Sequence, residues 1–134
     1  MIINITPETT IAAFQKQFHE LFPHLKVGFF VDKNRDKKLT ADELQRDERK
    51  TLGSISETKA SGSLEISGSM TVEELEFGML RDLGLHVQVF RRSGTNWLAT
   101  SNTDEWTLNE QEIRGKEMSE PVEAEGPEDY QEHE

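Results

Sequence analysis

The sharpest gathering of oxygen-bearing side chains is Asp32-Lys33-Asn34-Arg35-Asp36, followed by Thr40 and Glu43. Counted from Asp32, oxygens fall at positions one, three, five and nine, the apolar Leu39 at eight and a glutamate at twelve. That spacing lets short carboxylate and amide side chains converge on one hard cation, with the twelfth residue giving both its oxygens. Phe29 and Phe30 before the run and Leu44 after it supply flanking apolar residues.

The run resembles an EF-hand loop, and the resemblance implies calcium bound by Asp32, Asn34, Asp36, Thr40 and Glu43. It covers about one seventh of the chain. Three features depart from the pattern. Lys37 stands where the loop's sharp turn takes glycine. Lys33, Arg35, Lys37 and Lys38 surround the cation position with positive charge. The incoming LKVGFFV, just after Pro23, alternates like a strand, whereas an EF-hand enters through a helix. The other reading is a charged, solvated β-turn with no cofactor, and calcium stands as the alternative to it.

Aromatics and arginines form the second candidate. Phe90, Arg91, Arg92, Trp97 and Trp106 cluster in sequence, with Trp97 and Trp106 flanking a polar loop. Large aromatics pack cores or edges, and when exposed they anchor partners. A pair of arginines beside a tryptophan could also grip a phosphate or stack on a base. Clustered positive charge of the kind a duplex requires is missing, which argues against nucleic acid. His19, His24, His86 and His133 have no partner at a ligand spacing. The chain has no glycine-rich phosphate loop, nucleophile elbow or metalloprotease helix. An unrecognised enzyme remains the third hypothesis, requiring a pocket that holds His24 or His86 beside a carboxylate.

These residues are positioned by a framework centred on TVEELEFGMLRDLGLHVQVF, residues 71–90. Thr71 and Glu74 make a capping-box pattern. Val72, Leu75, Met79 and Leu83 form an apolar stripe at helical spacing, widened by Leu80. Gly84 supplies a left-handed stop. The period then changes to two, with Leu85, Val87 and Val89 on one face and His86, Gln88 and Phe90 on the other. A weaker copy precedes it. At an offset of 61, Ile3 and Ile5 fall on Leu64 and Ile66, Thr10 on Thr71, Phe14 on Leu75, Phe18 on Met79 and Phe22 on Leu83. At an offset of 60, LKVGFF falls on LHVQVF, and Thr51-Leu52 later matches Thr107-Leu108. The spacing predicts an α+β fold of two pseudo-repeated β-α-β(-β)-α units, about 1–59 and 62–114. Their strands are expected in one mixed sheet, with main helices at about 10–22 and 71–83 packed on one face. Arg91 to Asn96 reads as a hairpin turn, Trp97 to Thr100 as the returning strand, and Thr107 to Arg114 as a short helix stopped by Gly115.

The chain has 134 residues, no cysteine, 34% hydrophobic residues and a net charge of −11. Residues 115–134 carry eight acids and one base, which leaves −4 for residues 1–114. The division reads as one α+β domain, 1–114, and a disordered acidic tail, 115–134. The tail is a solubilising extension or an acidic mimic that docks on a basic partner. No apolar run approaches the roughly 20 residues that span a bilayer. The start, MIINITPETT, lacks the basic and apolar regions of a secretory signal. A soluble cytoplasmic protein without a membrane partner is the expectation.

TVEELE, then VQVFRRSG, Trp97-Leu98, Thr103-Asp104, Trp106-Thr107-Leu108 and Gln111 together resemble a family of small uncharacterised bacterial proteins. The likeness covers roughly a third of the chain. It implies a bacterial intracellular protein and brings no activity or catalytic residue with it. The first functional expectation is therefore a non-catalytic module that binds a protein partner or assembles with itself, through Phe90, Arg91, Arg92, Trp97 and Trp106.

Overall fold

The computed structural model describes residues 2–31, 43–58 and 62–119. Its elements run β1 (Ile2–Ile5), α1 (Ile11–Leu21), β2 (Leu25–Phe30), α2 (Leu52–Ile55), β3 (Gly62–Glu65), α3 (Val72–Leu83), β4 (His86–Ser93), β5 (Asn96–Ala99), a 3-10 turn (Ser101–Thr103) and α4 (Leu108–Ser119). The fold is α+β.

The helix ends follow from their chemistry. The Glu74 N–H donates to the Thr71 hydroxyl at 3.0 Å and the Thr71 N–H donates to the Glu74 carboxylate at 2.9 Å, closing the capping box. Gly84 ends α3 at φ 65°, a conformation that suits a residue without Cβ. Thr10 caps α1 by accepting the Ala13 N–H at 3.1 Å. That helix gives out at Phe22, ahead of Pro23.

The strands lie in two sheets, β1-β3 and β2-β4-β5, each antiparallel throughout, where one mixed sheet was expected. The reason is that the two strands flanking each long helix do not pair with one another. Each unit sends its first strand to one sheet and its second to the other, so β1 meets β3 and β2 meets β4. The registers are centred on equivalent residues: Ile3 pairs with Leu64, and Gly28 with Gln88. An antiparallel pair whose central residues are each other's counterparts has local twofold symmetry. The two units are interlocked about that axis.

Equivalent hydrogen bonds recur in both units. The Ile11 N–H donates to Lys50 O at 2.9 Å, and Val72 N–H to Trp106 O at 3.1 Å. Ala12 N–H donates to Glu48 O at 3.0 Å, and Glu73 N–H to Asp104 O at 2.9 Å. The two cap threonines of each unit bridge one another, Thr10 with Thr51 and Thr71 with Thr107. Each cap pair thus pins the start of a long helix to the start of the helix that closes its unit.

A single apolar cluster holds residues of both units. Phe14 meets Phe29 edge to face at 5.5 Å, and Leu25, Val27, Val87 and Val89 from the same sheet face are buried with them. Leu80 does not join the stripe and is 38% exposed; Phe77 on the same helix is 60% exposed.

Gly115 does not stop α4, which continues to Ser119. A Cβ on Gly115 would lie 2.9 Å from His24 Cβ and 3.1 Å from Arg91 Cγ, so this glycine lets the helix press onto the sheet. The folded part therefore extends beyond 114, and the acidic residues 120–134 lie outside the described residues. No helix among the described residues is long and apolar enough to cross a membrane.

Candidate interaction face

In the β2-β4-β5 sheet, side chains opposite one another in the register share a face. Leu25 opposes Arg91, and Arg91 opposes Leu98, so these three belong to the face that the core covers. Lys26 opposes Phe90, Phe90 opposes Ala99, and Arg92 opposes Trp97, and these five belong to the other face.

That alternation divides the five expected residues. Arg91 faces the core side, is 5% exposed and donates to the Gln111 side-chain oxygen on α4 at 2.9 Å. Its guanidinium also lies 5.7 Å from the Trp106 ring, and Trp106 is 38% exposed. Arg91 and Trp106 therefore brace α4 against the sheet, and Arg91 is too buried to meet a partner. Gln111 completes the brace by donating to Thr103 O at 2.8 Å.

Phe90, Arg92 and Trp97 are partly exposed on the opposite face. The Arg92 guanidinium lies 5.5 Å from the Trp97 ring centre and the Lys26 ammonium 5.7 Å from it, within cation–π range. Arg92 Nε donates to Gly94 O at 2.7 Å, which ties the side chain to the hairpin turn. Phe90 lies over Gly28, where a Cβ would come within 2.8 Å of its ring and 3.3 Å of Leu44. Glycine at the centre of the β2–β4 pair thus makes room for the Phe90 ring against the sheet. Among the described residues, no helix gives Lys26, Phe90, Arg92 or Trp97 a side-chain hydrogen bond, an ion pair or a ring contact. The result is a strand face with an aromatic centre and two cations beside it. Lys26 was not among the expected residues; its place opposite Phe90 follows from the β2–β4 pairing, which no local sequence pattern records.

The calcium candidates fall differently. Asp32, Asn34, Asp36 and Thr40 lie outside the described residues. The flanks of the run are described: the Val31 N–H donates to Glu43 O at 3.0 Å, and Gln45 N–H to Phe29 O at 2.8 Å. Phe30 and Leu44 form an antiparallel bridge. The run is thus entered from a strand and left along its antiparallel partner, not between the two helices of an EF-hand. Glu43, the twelfth position, is fully buried. Among the described residues, no group of three or more potential ligands could hold a metal ion.

Both histidines named for catalysis do meet carboxylates. His24 Nδ1 lies 2.6 Å from Glu112 Oε2, and the His24 backbone N–H donates to Glu112 Oε1 at 2.8 Å. His86 Nε2 lies 2.7 Å from Glu57 Oε2. Such a pair can serve a general base, but it needs a cavity that brings substrate to the free ring nitrogen. A hollow of about 550 Å³ is lined by Val31, Gln45, Lys50, Thr51, Ser54 and Ile55, with neither histidine in its wall. Each pair fixes a strand start to a segment from elsewhere in the chain.

No family model, curated protein or solved structure matches this chain.

Proposed function

We propose that the protein is a non-catalytic interaction module whose open strand face takes an acidic protein segment. One observation carries the reading: the Trp97 indole has Arg92 and Lys26 at 5.5 and 5.7 Å, on a part of the strand face where no described helix bonds any of the three side chains. A carboxylate-rich strand laid there would meet two cations already held in place by the ring, while its apolar atoms covered Trp97 and Phe90. The short strand β5 is the edge of its sheet, so main-chain pairing along it can add affinity that side-chain contacts turn into selectivity. Two cations suit a short acidic stretch better than a nucleic-acid backbone, whose binding needs many phosphate contacts. On this reading the protein works in a bacterial cytoplasm, as the resemblance of residues 87–112 implies.

The test is a titration of the isotopically labelled protein with an oligoglutamate peptide, followed by amide and indole NMR. Shifts should concentrate on Lys26, Phe90, Arg92 and Trp97, disappear in W97A and weaken with salt. An oligothymidylate serves as the contrasting probe. Equal or tighter binding of oligothymidylate would overturn the choice of partner, and shifts scattered away from β4 and β5 would overturn the face.

A further inference from the structure

We infer that the acidic segment 120–134 of the same chain occupies this face, crossing Lys26, Arg92 and Trp97 and competing there with an acidic partner. The inference rests on the reading of the face given above. Three observations lead to it.

The first is where the described chain ends. The Gly94 N–H donates to Met118 O at 3.2 Å, so α4 finishes against the turn of the β4–β5 hairpin. Arg92 and Trp97 are two and three residues from Gly94, within about 10 Å at the strand rise of ~3.3 Å per residue. Residues 120–134 can extend over about 50 Å at ~3.3 Å per residue, enough to reach Lys26, which pairs with Phe90.

The second is charge. Residues 120–134 contain seven acids and no lysine or arginine, a net −7. The rest of the chain carries −4, so net charge alone does not draw this segment to it. Among the described residues, neither Lys26 nor Arg92 has a carboxylate at ion-pair distance. Arg49 and Arg81, by contrast, are matched to their neighbours Asp47 and Asp82 at 3.0 and 2.8 Å. The two cations of the strand face are therefore available to an acidic segment, and the nearest one begins at the end of α4.

The third is tethering. A segment attached at the edge of its site has an effective concentration on the order of millimolar, so individually weak contacts suffice to populate the bound form. An acidic partner must then displace it, and its apparent affinity falls in proportion to the fraction of free face.

The experiment compares the full-length protein with a full-length variant in which the seven acids are neutralised (E120Q, E123Q, E125Q, E128Q, D129N, E132Q and E134Q). If the inference holds, the two differ in the Trp97 indole resonance and in the amides of Lys26, Phe90 and Arg92. The difference should shrink as salt is raised and be lost when K26A/R92A is added to both. Oligoglutamate should bind the neutralised variant roughly ten-fold more tightly than the unmodified protein. Identical spectra overturn the inference. So does a difference that grows with protein concentration, which would assign the contact to a neighbouring copy. If the spectra coincide and both proteins bind oligoglutamate equally at this face, the docking reading survives and the occupancy within the chain fails. If neither protein binds oligoglutamate at this face, the docking reading itself fails.

Discussion

The two units share a framework and differ in what they hang on it. Both start a long helix from a threonine bridged to a second threonine, and both exchange the same backbone hydrogen bonds. In the first unit, Val31 and Glu43 bracket residues 32–42, and the closing helix α2 has four residues. In the second, Ser93 pairs directly with Asn96 across Gly94 at φ 61°, and the closing helix α4 has twelve residues. The tight turn puts Trp97 opposite Arg92, and the longer helix delivers the chain to that same turn. Arg92 and Trp97 thus stand where the second unit departs from the repeat, beside Phe90, which keeps the place of Phe30.

The largest expected effects come from the point where each unit's loop passes under its closing helix. The Gly53 N–H donates to Pro7 O at 3.0 Å, and the equivalent Asn109 N–H donates to Gly68 O at 3.0 Å. The approach is close enough to demand glycine, and the units place it on opposite partners. A Cβ on Gly53 would sit 2.7 Å from Pro7 O and 2.9 Å from Pro7 Cα, whereas one on Gly68 would meet the Asn109 side chain at 2.1–2.4 Å. Backbone cannot step aside as a side chain can. G53A should therefore cost about 3 kcal/mol in urea denaturation. G68A should cost about 2 kcal/mol alone but be brought back to within about 1 kcal/mol of the unmodified protein by N109G, which moves the glycine to where the first unit has it. No rescue by N109G would break the equivalence of the two crossings.

Next in size is a pH effect confined to the second unit. Gln15 and Glu76 occupy equivalent positions and both reach a strand backbone. Gln15 Nε2 donates to Val27 O at 2.8 Å, while Glu76 Oε2 accepts the Val89 N–H at 2.9 Å. Burial, reinforced by Asp104 and Glu73, pushes the Glu76 carboxyl from 4.5 up to about 7 against the Val89 hydrogen bond, which lowers it. The folded state therefore holds this proton more tightly than the unfolded chain. Its stabilising contribution is complete below about pH 4.5 and is lost as pH rises through about 7. E76Q keeps an acceptor for Val89 and removes the charge. It should flatten this part of the pH profile and stand about 2 kcal/mol above the unmodified protein at pH 8, after allowance for partial exposure. Q15E, which sets a carboxylate against the Val27 carbonyl, should add a slope of the same sign. Parallel stability profiles for E76Q and the unmodified protein from pH 4 to 8 would remove Glu76 from this account.

Local chemistry carried much of this fold. The α3 cap, the Gly84 stop, the alternation of β2 and β4 and the hairpin after Phe90 are all set by neighbours within a few residues, so periodicity exposes them. Gly115 misled because a glycine needed for close packing against His24 has the same signature as one needed to end a helix. The direction of strand pairing depends on which unit a strand joins, and no local pattern records that. For the site, Phe90, Arg92 and Trp97 were legible as residues, but Arg91 was separated from them only by the pleat. Lys26 and the His24–Glu112 and His86–Glu57 pairs come from distant parts of the chain, and one sequence gives no sign of such meetings.

The smallest effect returns to the helix starts. In the second unit both caps are reciprocal: Thr71 with Glu74, and Thr107 with Glu110, whose N–H donates to the Thr107 hydroxyl at 3.1 Å while its carboxylate accepts the Thr107 N–H at 2.8 Å. In the first unit the matching positions are Ala13 and Ser54. Thr10 and Thr51 each accept one N–H, from Ala13 at 3.1 Å and from Ser54 at 3.2 Å, and no carboxylate reaches back. A13E supplies the missing half. It places an acceptor near the Thr10 N–H and a negative charge at the positive end of α1, which has no acid in its first turn. A gain of about 0.5 kcal/mol is expected, against a loss of about 1 kcal/mol for T71A. Glutamine at the same position keeps an acceptor for the Thr10 N–H without the charge, so A13Q should retain part of the gain. No gain in A13Q would trace the A13E effect to helix charge alone and leave the two caps unlike in kind.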